Sequence, residues 1–253
     1  MEKKRSKEKK SKFENSVTLA RALSKLGYCS RSQAVLFIQD GNVLVNGKVT
    51  TNPSQWCNLK TDKIVVTSIE GNQELDKKKF MYIMMNKPKG VITTRSDELG
   101  RKTIYDFLSE IPEWIFPVGR LDKESSGLLL LTNDNQMGER LTNPDSKVPK
   151  KYMIQIDKVM RREDISTMTH GMMLDDEQLL PVRVSRVEMN KGEYWLEMII
   201  TEGKNRQIRR MFEACGYKVL ELVRTEIGNL SLGNLRFGEY KVLTDREVRM
   251  LVS

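Results

Sequence analysis

Near the N-terminus the apolar positions follow a helical period. Leu19, Leu23 and Leu26 recur at i, i+4 and i+7, and Gly27 supplies a left-handed stop, which predicts a short helix ending there. Ser30 and Gln33 have capping-box spacing, so a second helix starts at once, with Ala34, Phe37 and Ile38 as its apolar face and Gly41 as its end. The period then changes to two. Val43-Leu44-Val45 and Lys48-Val49 flank Asn46-Gly47, the strongest short hairpin signal, and Lys60 to Val66 reads as a closing strand. Residues 69–79 are polar and without periodicity, which predicts a linker. From residue 80 short alternating strands dominate, among them Tyr152 to Ile156, Val182 to Val187 and Tyr194 to Ile200, and Leu128 to Leu131 reads as a buried strand. Helices are expected near Thr103 to Ser109, Arg162 to Thr169 and Arg206 to Cys215. Strands outnumber helices and do not alternate with them, so the α+β class is expected, not a parallel doubly wound sheet. The division expected is an arm at 1–16, a small helix-helix-hairpin domain at 17–68, the linker at 69–79 and a sheet domain at 80–253.

Charge narrows the class of partner. The 253 residues carry 43 Lys and Arg against 34 Asp and Glu, a net +9, of which residues 1–12 hold seven basic and two acidic side chains. A basic arm on a basic chain points to a polyanion, nucleic acid before an anionic membrane. The apolar runs at Met81 to Met85 and Leu128 to Leu131 are far shorter than the roughly 20 residues that span a bilayer, and the basic start lacks the apolar region of a signal peptide, so a cytoplasmic location is expected. Cys29, Cys57 and Cys215 lack metal-ligand spacing and read as small buried hydrophobes; no metal site is expected. The single histidine, His170, precedes Gly171 and reads as a helix end. From Gly41 to Gly47-Lys48 the chain imitates a phosphate loop, but five residues separate the glycines and Val49 stands where Ser or Thr would be needed. Asp175-Asp176-Glu177 reads as a solvated acidic loop.

Two places offer chemistry. Arg120 and Asp122 lie two apart in the loop before the leucine strand, so an extended backbone would send both side chains into one cleft. A carboxylate beside an arginine suits a nucleophile or base, although from spacing alone a structural ion pair in a turn is the stronger reading. In the predicted helix after Gly203, Ile208, Met211, Phe212 and Cys215 make an apolar stripe, which leaves Arg206, Arg209 and Arg210 on a basic face, with Arg209 nearest its edge.

The stretch Leu26-Gly27-Tyr28-Cys29-Ser30-Arg31 through Val45-Asn46-Gly47-Lys48 resembles the S4 RNA-binding domain. Gly119-Arg120-Leu121-Asp122, followed by Ser126-Gly127-Leu128-Leu129-Leu130-Leu131-Thr132-Asn133-Asp134, is similar to the central motif of RsuA-type pseudouridine synthases. Asn86-Lys87-Pro88-Lys89-Gly90-Val91, Lys150-Lys151-Tyr152 and Glu202 to Met211 match in the same order. The departures are Ser125-Ser126, where a threonine is more usual, and Asn135 in place of a glycine, expected in the left-handed turn conformation.

What the resemblance implies is an S4 unit in front of a mixed, mainly antiparallel sheet domain that isomerises uridine in RNA, with no cofactor. It implies Asp122 as nucleophile or base, Tyr152 stacked on the flipped uracil, Arg209 paired with Asp122 and Arg120 filling the gap in the RNA stack. Arg21, Lys25, Arg31, Lys48, Lys87, Lys204, Arg206 and Arg210 are the further RNA contacts expected. The tail from Leu222 to Arg224 and Thr225, through Leu230 to Leu232, is more similar to large-subunit members, so ribosomal RNA or an assembling large subunit is the expected partner of a monomeric protein. The alternatives are a synthase acting on transfer RNA, and a ribosome-assembly protein that keeps the fold without the chemistry; the presence of Asp122, Tyr152 and Arg209 argues against the second.

Overall fold

A computed structural model describes residues 16–68, 71–74, 80–187 and 192–252. Two compact units divide between Phe80 and Met81, with Glu113–Ile115 grouped with the first. Of the arm expected at 1–16, only Ser16 is described.

In the N-terminal unit, β1 (Ser16–Thr18) pairs antiparallel with β4 (Trp56–Asn58) and leads into helices α1 (Leu19–Lys25) and α2 (Arg31–Gln39). Both halves of the Ser30–Gln33 capping box form, at 3.2 and 3.1 Å. The hairpin β2 (Val43–Val45) and β3 (Lys48–Val49) turns through Asn46 and Gly47, whose φ values of 52° and 79° are those a two-residue primed turn requires. It is a strand turn. The core joins Leu19, Leu23, Ala34, Ile38, Val43 and Val66. The closing strand β5 (Ile64–Ser68) begins later than expected, because Asp62 accepts from the Asn58 amide at 2.8 Å and holds the preceding residues in a turn. Part of the expected linker is also strand: β6 (Gly71–Glu74) pairs with β5. That pairing runs through the backbone, so the missing apolar alternation did not forbid it.

The second unit contains β7 (Tyr82–Lys87), β8 (Phe116–Pro117), β9 (Ser126–Thr132), α3 (Asn135–Thr142), β10 (Lys150–Ile156), α4 (Arg162–His170), β11 (Met173–Leu174), β12 (Glu177–Gln178), β13 (Arg183–Val187), β14 (Tyr194–Ile200), α5 (Gln207–Ala214), β15 (Val219–Ile227), β16 (Leu230–Ser231), β17 (Tyr240–Val242) and α6 (Asp245–Met250). The main sheet runs β13-β14-β10-β15-β9-β7-β17, with β8 and β16 at its margins. Every pairing in it is antiparallel except β15 with β9, so the expected mixed, mainly antiparallel sheet is present. At that parallel junction Gly127, φ 102°, faces Arg224, and a Cβ there would collide with the Arg224 backbone. Met84, Leu128, Leu130, Leu141, Ile227 and Leu251 form a core cluster against the sheet.

Two local expectations are corrected. Asn135 is not a left-handed turn residue but opens α3, because Asp134 accepts from the amides of Gln136 and Met137 and caps the helix. The helix expected at 103–109 is a 3₁₀ turn, Ile104–Phe107, closed by Thr103 and Asp106. Helix α6 was not anticipated, although Thr244 and Glu247 form a capping box. His170 does end a helix, α4, with Nδ1 2.8 Å from the Ser166 carbonyl oxygen. No helix among the described residues is long and apolar enough to cross a membrane.

Candidate active site

Strand β9 is buried along its whole length, and the loop that enters it, residues 118–125, carries Asp122. That loop is fastened carbonyl by carbonyl. Leu121 O accepts from Thr93 Oγ1 at 2.8 Å, Asp122 O from Ser125 N at 3.0 Å and Lys123 O from Gly90 N at 2.7 Å. Glu124 O accepts from Arg209 Nη2 at 2.7 Å, and Ser125 O from Lys87 Nζ at 2.8 Å. Consecutive acceptors, four of the five held by donors from outside the loop, leave the backbone little freedom, while the Asp122 side chain stays 36% exposed.

A cavity of about 310 Å³ lies against the loop. Arg120 and Asp122 line it together. Tyr152, 7% exposed, lines it from β10, with Lys150 beside it and Arg224 on β15. Arg206 and Arg209 enter from the start of α5.

The cation nearest Asp122 differs from the one expected. Arg206 Nη1 stands 3.7 Å from Asp122 Oδ2, whereas Arg209 spends its Nη1 and Nη2 on Val219 O and Glu124 O and leaves Nε buried without a hydrogen-bond partner among the described residues. The physical reason is backbone conformation. Arg206 is not a residue of the helix but its N-cap, at φ 46°, a region that costs a long side chain energy and turns it off the helical face. Arg209 is half-buried; burial, with Arg206 nearby, draws its guanidinium below the usual value. The turn before it is fixed by Glu202 and Gln207, both buried and unanticipated: Glu202 Oε1 accepts from Gln207 Nε2 at 2.6 Å and from the Leu180 amide at 2.9 Å. The Glu-Gly-Lys-Asn-Arg-Gln spacing was the available signal.

Other expected RNA contacts divide. Lys87 is fully buried on β7 and cannot meet a phosphate on the surface; its ammonium holds Pro88 O and Ser125 O, and burial lowers its pKa to about 8 despite Asp122 and Glu124. Asp175-Asp176 is exposed, as a solvated loop would be, and forms the turn of the β11–β12 hairpin, with φ values of 51° and 59°. Its acids engage the neighbouring cations: Arg210 reaches Asp175 at 3.1 Å and Glu177 at 3.5 Å, and Lys204 reaches Glu177 at 3.0 Å. Arg120 and Arg206 are exposed in this unit, and in the N-terminal unit Arg21, Arg31 and Lys48 are exposed and Lys25 is half-buried. Among the described residues no group of three His, Cys, Asp or Glu side chains could hold a metal.

A carboxylate on a rigid loop, flanked by arginine and faced by a buried tyrosine within one cavity, describes a site for acting on part of a polyanion. Comparison with known sequences gives the class. The profile of the RNA pseudouridylate synthase family matches residues 81–214, and that of the S4 domain matches residues 17–57. The ribosomal large subunit pseudouridine synthase B of Bacillus subtilis (strain 168) is 34% identical, over 92% of this chain and 94% of that protein. An uncharacterized RNA pseudouridine synthase of Rickettsia bellii (strain RML369-C) is 36% identical over 90% of this chain and 97% of its own length. A crystal structure of a pseudouridylate synthase superposes with a TM-score of 0.65 at 28% identity, covering 93% of this chain and all of that one. The chain belongs to the RNA pseudouridine synthase family and is an isomerase carrying an S4 RNA-binding domain.

Proposed function

We propose that this chain converts a specific uridine of large-subunit ribosomal RNA to pseudouridine, acting as a monomer on the RNA or on an assembling subunit. The Bacillus subtilis relative, whose name assigns it to the large ribosomal subunit, supports that substrate, since the likeness extends over nearly its whole length. The observation that carries the mechanism is the fastened loop, which presents one carboxylate to the cavity at a fixed position.

In this reading Asp122 acts on the ribose of a uridine turned out of the RNA, either by attacking C1′ or by removing a sugar proton. The C1′–N1 bond breaks and its electron pair leaves with the base. The base turns and C5 bonds to C1′ as the Asp122–C1′ bond breaks or, on the other route, as Asp122 returns the sugar proton; C5 then loses its proton and N1 gains one. Atoms and electrons balance with no co-reactant. Tyr152 supplies the flat apolar face on which the extruded base rests. Arg206 stands 3.7 Å from Asp122 as the nearest cation; Arg209 positions Asp122 through the Glu124 carbonyl; and Arg120, exposed at the cavity edge, fills the gap left in the RNA. Residues 17–68 add phosphate contacts through Arg21, Lys25, Arg31 and Lys48.

Mapping pseudouridines in ribosomal RNA from cells lacking the gene tests the reading. One large-subunit position should be lost, and the wild-type gene should restore it while Asp122→Asn does not. Loss confined to transfer RNA would contradict the substrate, and no loss anywhere would contradict the activity.

A further inference from the structure

The cavity floor holds two cations that the Asp122 chemistry leaves without a task. Arg224 is 4% exposed; its Nε donates to Leu128 O at 2.7 Å, and its Nη2 is buried with no hydrogen-bond partner among the described residues. A buried donor of this kind needs an acceptor, and native interiors rarely forgo one. Lys150 lines the same cavity and donates to Val148 O at 3.2 Å, which uses one of its three protons. Between them stands Tyr152, directly opposite Arg224 in the β10–β15 register and two residues along from Lys150.

We propose that Arg224 and Lys150 receive the carbonyl oxygens of the uracil and stabilise it while it is detached from the ribose as an anion. This rests on the reading of the chain as a uridine isomerase acting through Asp122. When the C1′–N1 bond breaks, the departing pair spreads over N1, C5 and both carbonyl oxygens. Donors already fixed where that charge develops, away from water, stabilise the transition state more than the ground state. The position favours the base over a phosphate. Both groups flank the tyrosine on which the base rests, and Arg224 is buried, whereas the exposed Arg120 and Arg206 are the cations in reach of the backbone. Burial, then the nearby Arg224, lowers the Lys150 pKa to about 8, so the group is charged at neutral pH in a place where its charge is poorly hydrated and ready to meet an anion.

The test compares binding of two free bases to the full chain, followed by absorbance: uracil, neutral at pH 7, and 5-nitrouracil, anionic there. Wild type should prefer the anion by about ten- to a hundred-fold, the range for hydrogen bonds to a charged group. Lys150→Met should weaken 5-nitrouracil more than uracil, so that the preference falls to about three-fold or less, and should lower the single-turnover rate at saturating RNA at least about ten-fold. Lys150→Arg should restore much of both. Arg224→Gln should act likewise, and because Arg224 also holds Leu128 O, the Lys150 pair keeps the test decisive should that variant fail to fold. If both the preference and the rate survive in Lys150→Met while wild type forms pseudouridine, the proposal is overturned and the parent reading stands. Inorganic phosphate that displaces 5-nitrouracil from wild type would mark a phosphate seat and overturn it as well. A wild type that forms no pseudouridine in ribosomal RNA removes the parent reading and the proposal with it.

Discussion

The Lys87 ammonium donates to the Ser125 carbonyl at 2.8 Å, three residues beyond Asp122, from a side chain with no exposure to solvent. A lysine in that position is an internal strut of the loop. Lys87→Met keeps the stem, removes a poorly solvated charge and orphans two carbonyls, effects of opposite sign that should leave stability within about 2 kcal/mol of wild type. The loop loses one of its fastenings, and displacement of a reacting group by about 1 Å can cost a hundred-fold. The expected outcome is a fall of about 10- to 100-fold in single-turnover rate with unchanged RNA affinity. An equal fall in affinity would return Lys87 to the RNA-binding surface.

Arg206 combines a strained backbone with the nearest charge to Asp122, and the two separate experimentally. Arg206→Gly places at φ 46° the residue that adopts it without penalty, so the melting temperature should hold or rise, while activity falls about ten-fold. Because the Arg206 side chain is half-exposed, its advantage over the variant should shrink as salt rises. An Arg206→Gly enzyme of full activity would show that the 3.7 Å pair has no part in the reaction.

Lys87, buried, and Lys150, half-buried, set stability and rate in opposite directions with pH. Burial lowers both Lys87 and Lys150 to about 8, below their value in the unfolded chain. Under about pH 8 both states hold these protons and the cost of burying charge is fully present. Above it the folded state releases protons that the unfolded chain keeps, so stability should rise with pH. Activity depends on the charged forms and should decline through the same range. Denaturation midpoints and single-turnover rates at pH 7, 8 and 9 check this, with the Lys87→Met, Lys150→Met double variant expected to lose the rise in stability.

Arg21, Arg31 and Lys48 are exposed in the N-terminal unit, apart from the Asp122 loop in sequence. Replacing all three by Gln in the full chain should reduce the slope of log K against log salt by roughly 0.7–0.9 for each phosphate that is no longer neutralised. Turnover at saturating RNA should be unchanged. An unaltered slope would place RNA binding elsewhere.

Features governed by local rules were legible in the sequence. The Asn46-Gly47 turn, the Ser30–Gln33 cap and the buried leucine strand each follow from a few adjacent residues. Helix α3 was missed because Gly138 weakens its propensity; its Cβ would come within 3.0 Å of the Phe116 ring, so packing selects the glycine. Lys87 was misread because β7, paired on both edges by β9 and β17, is buried from Ile83 onward, and a polar residue at its end goes inside with the rest. The resemblance implied Arg209 as the partner of Asp122, and helical periodicity could not show that Arg206, an N-cap in the left-handed region, stands there instead. Arg224 belongs to no apolar period, and its burial follows from the parallel β15–β9 junction, which joins residues 97 apart (Gly127 and Arg224).

The central claim is that Asp122 performs the chemistry and the remainder of the cavity serves it. The direct measurement is single-turnover pseudouridine formation by Asp122→Asn, with the tritium of 5-tritiated uridine in ribosomal RNA as the readout and binding of the same RNA measured in parallel. The side chain is 36% exposed and the loop is held through its backbone, so the variant should fold and bind as wild type does. Its rate should fall at least about 10³-fold, the scale expected when a nucleophile or base is removed. Normal binding with a rate within about ten-fold of wild type would contradict the account.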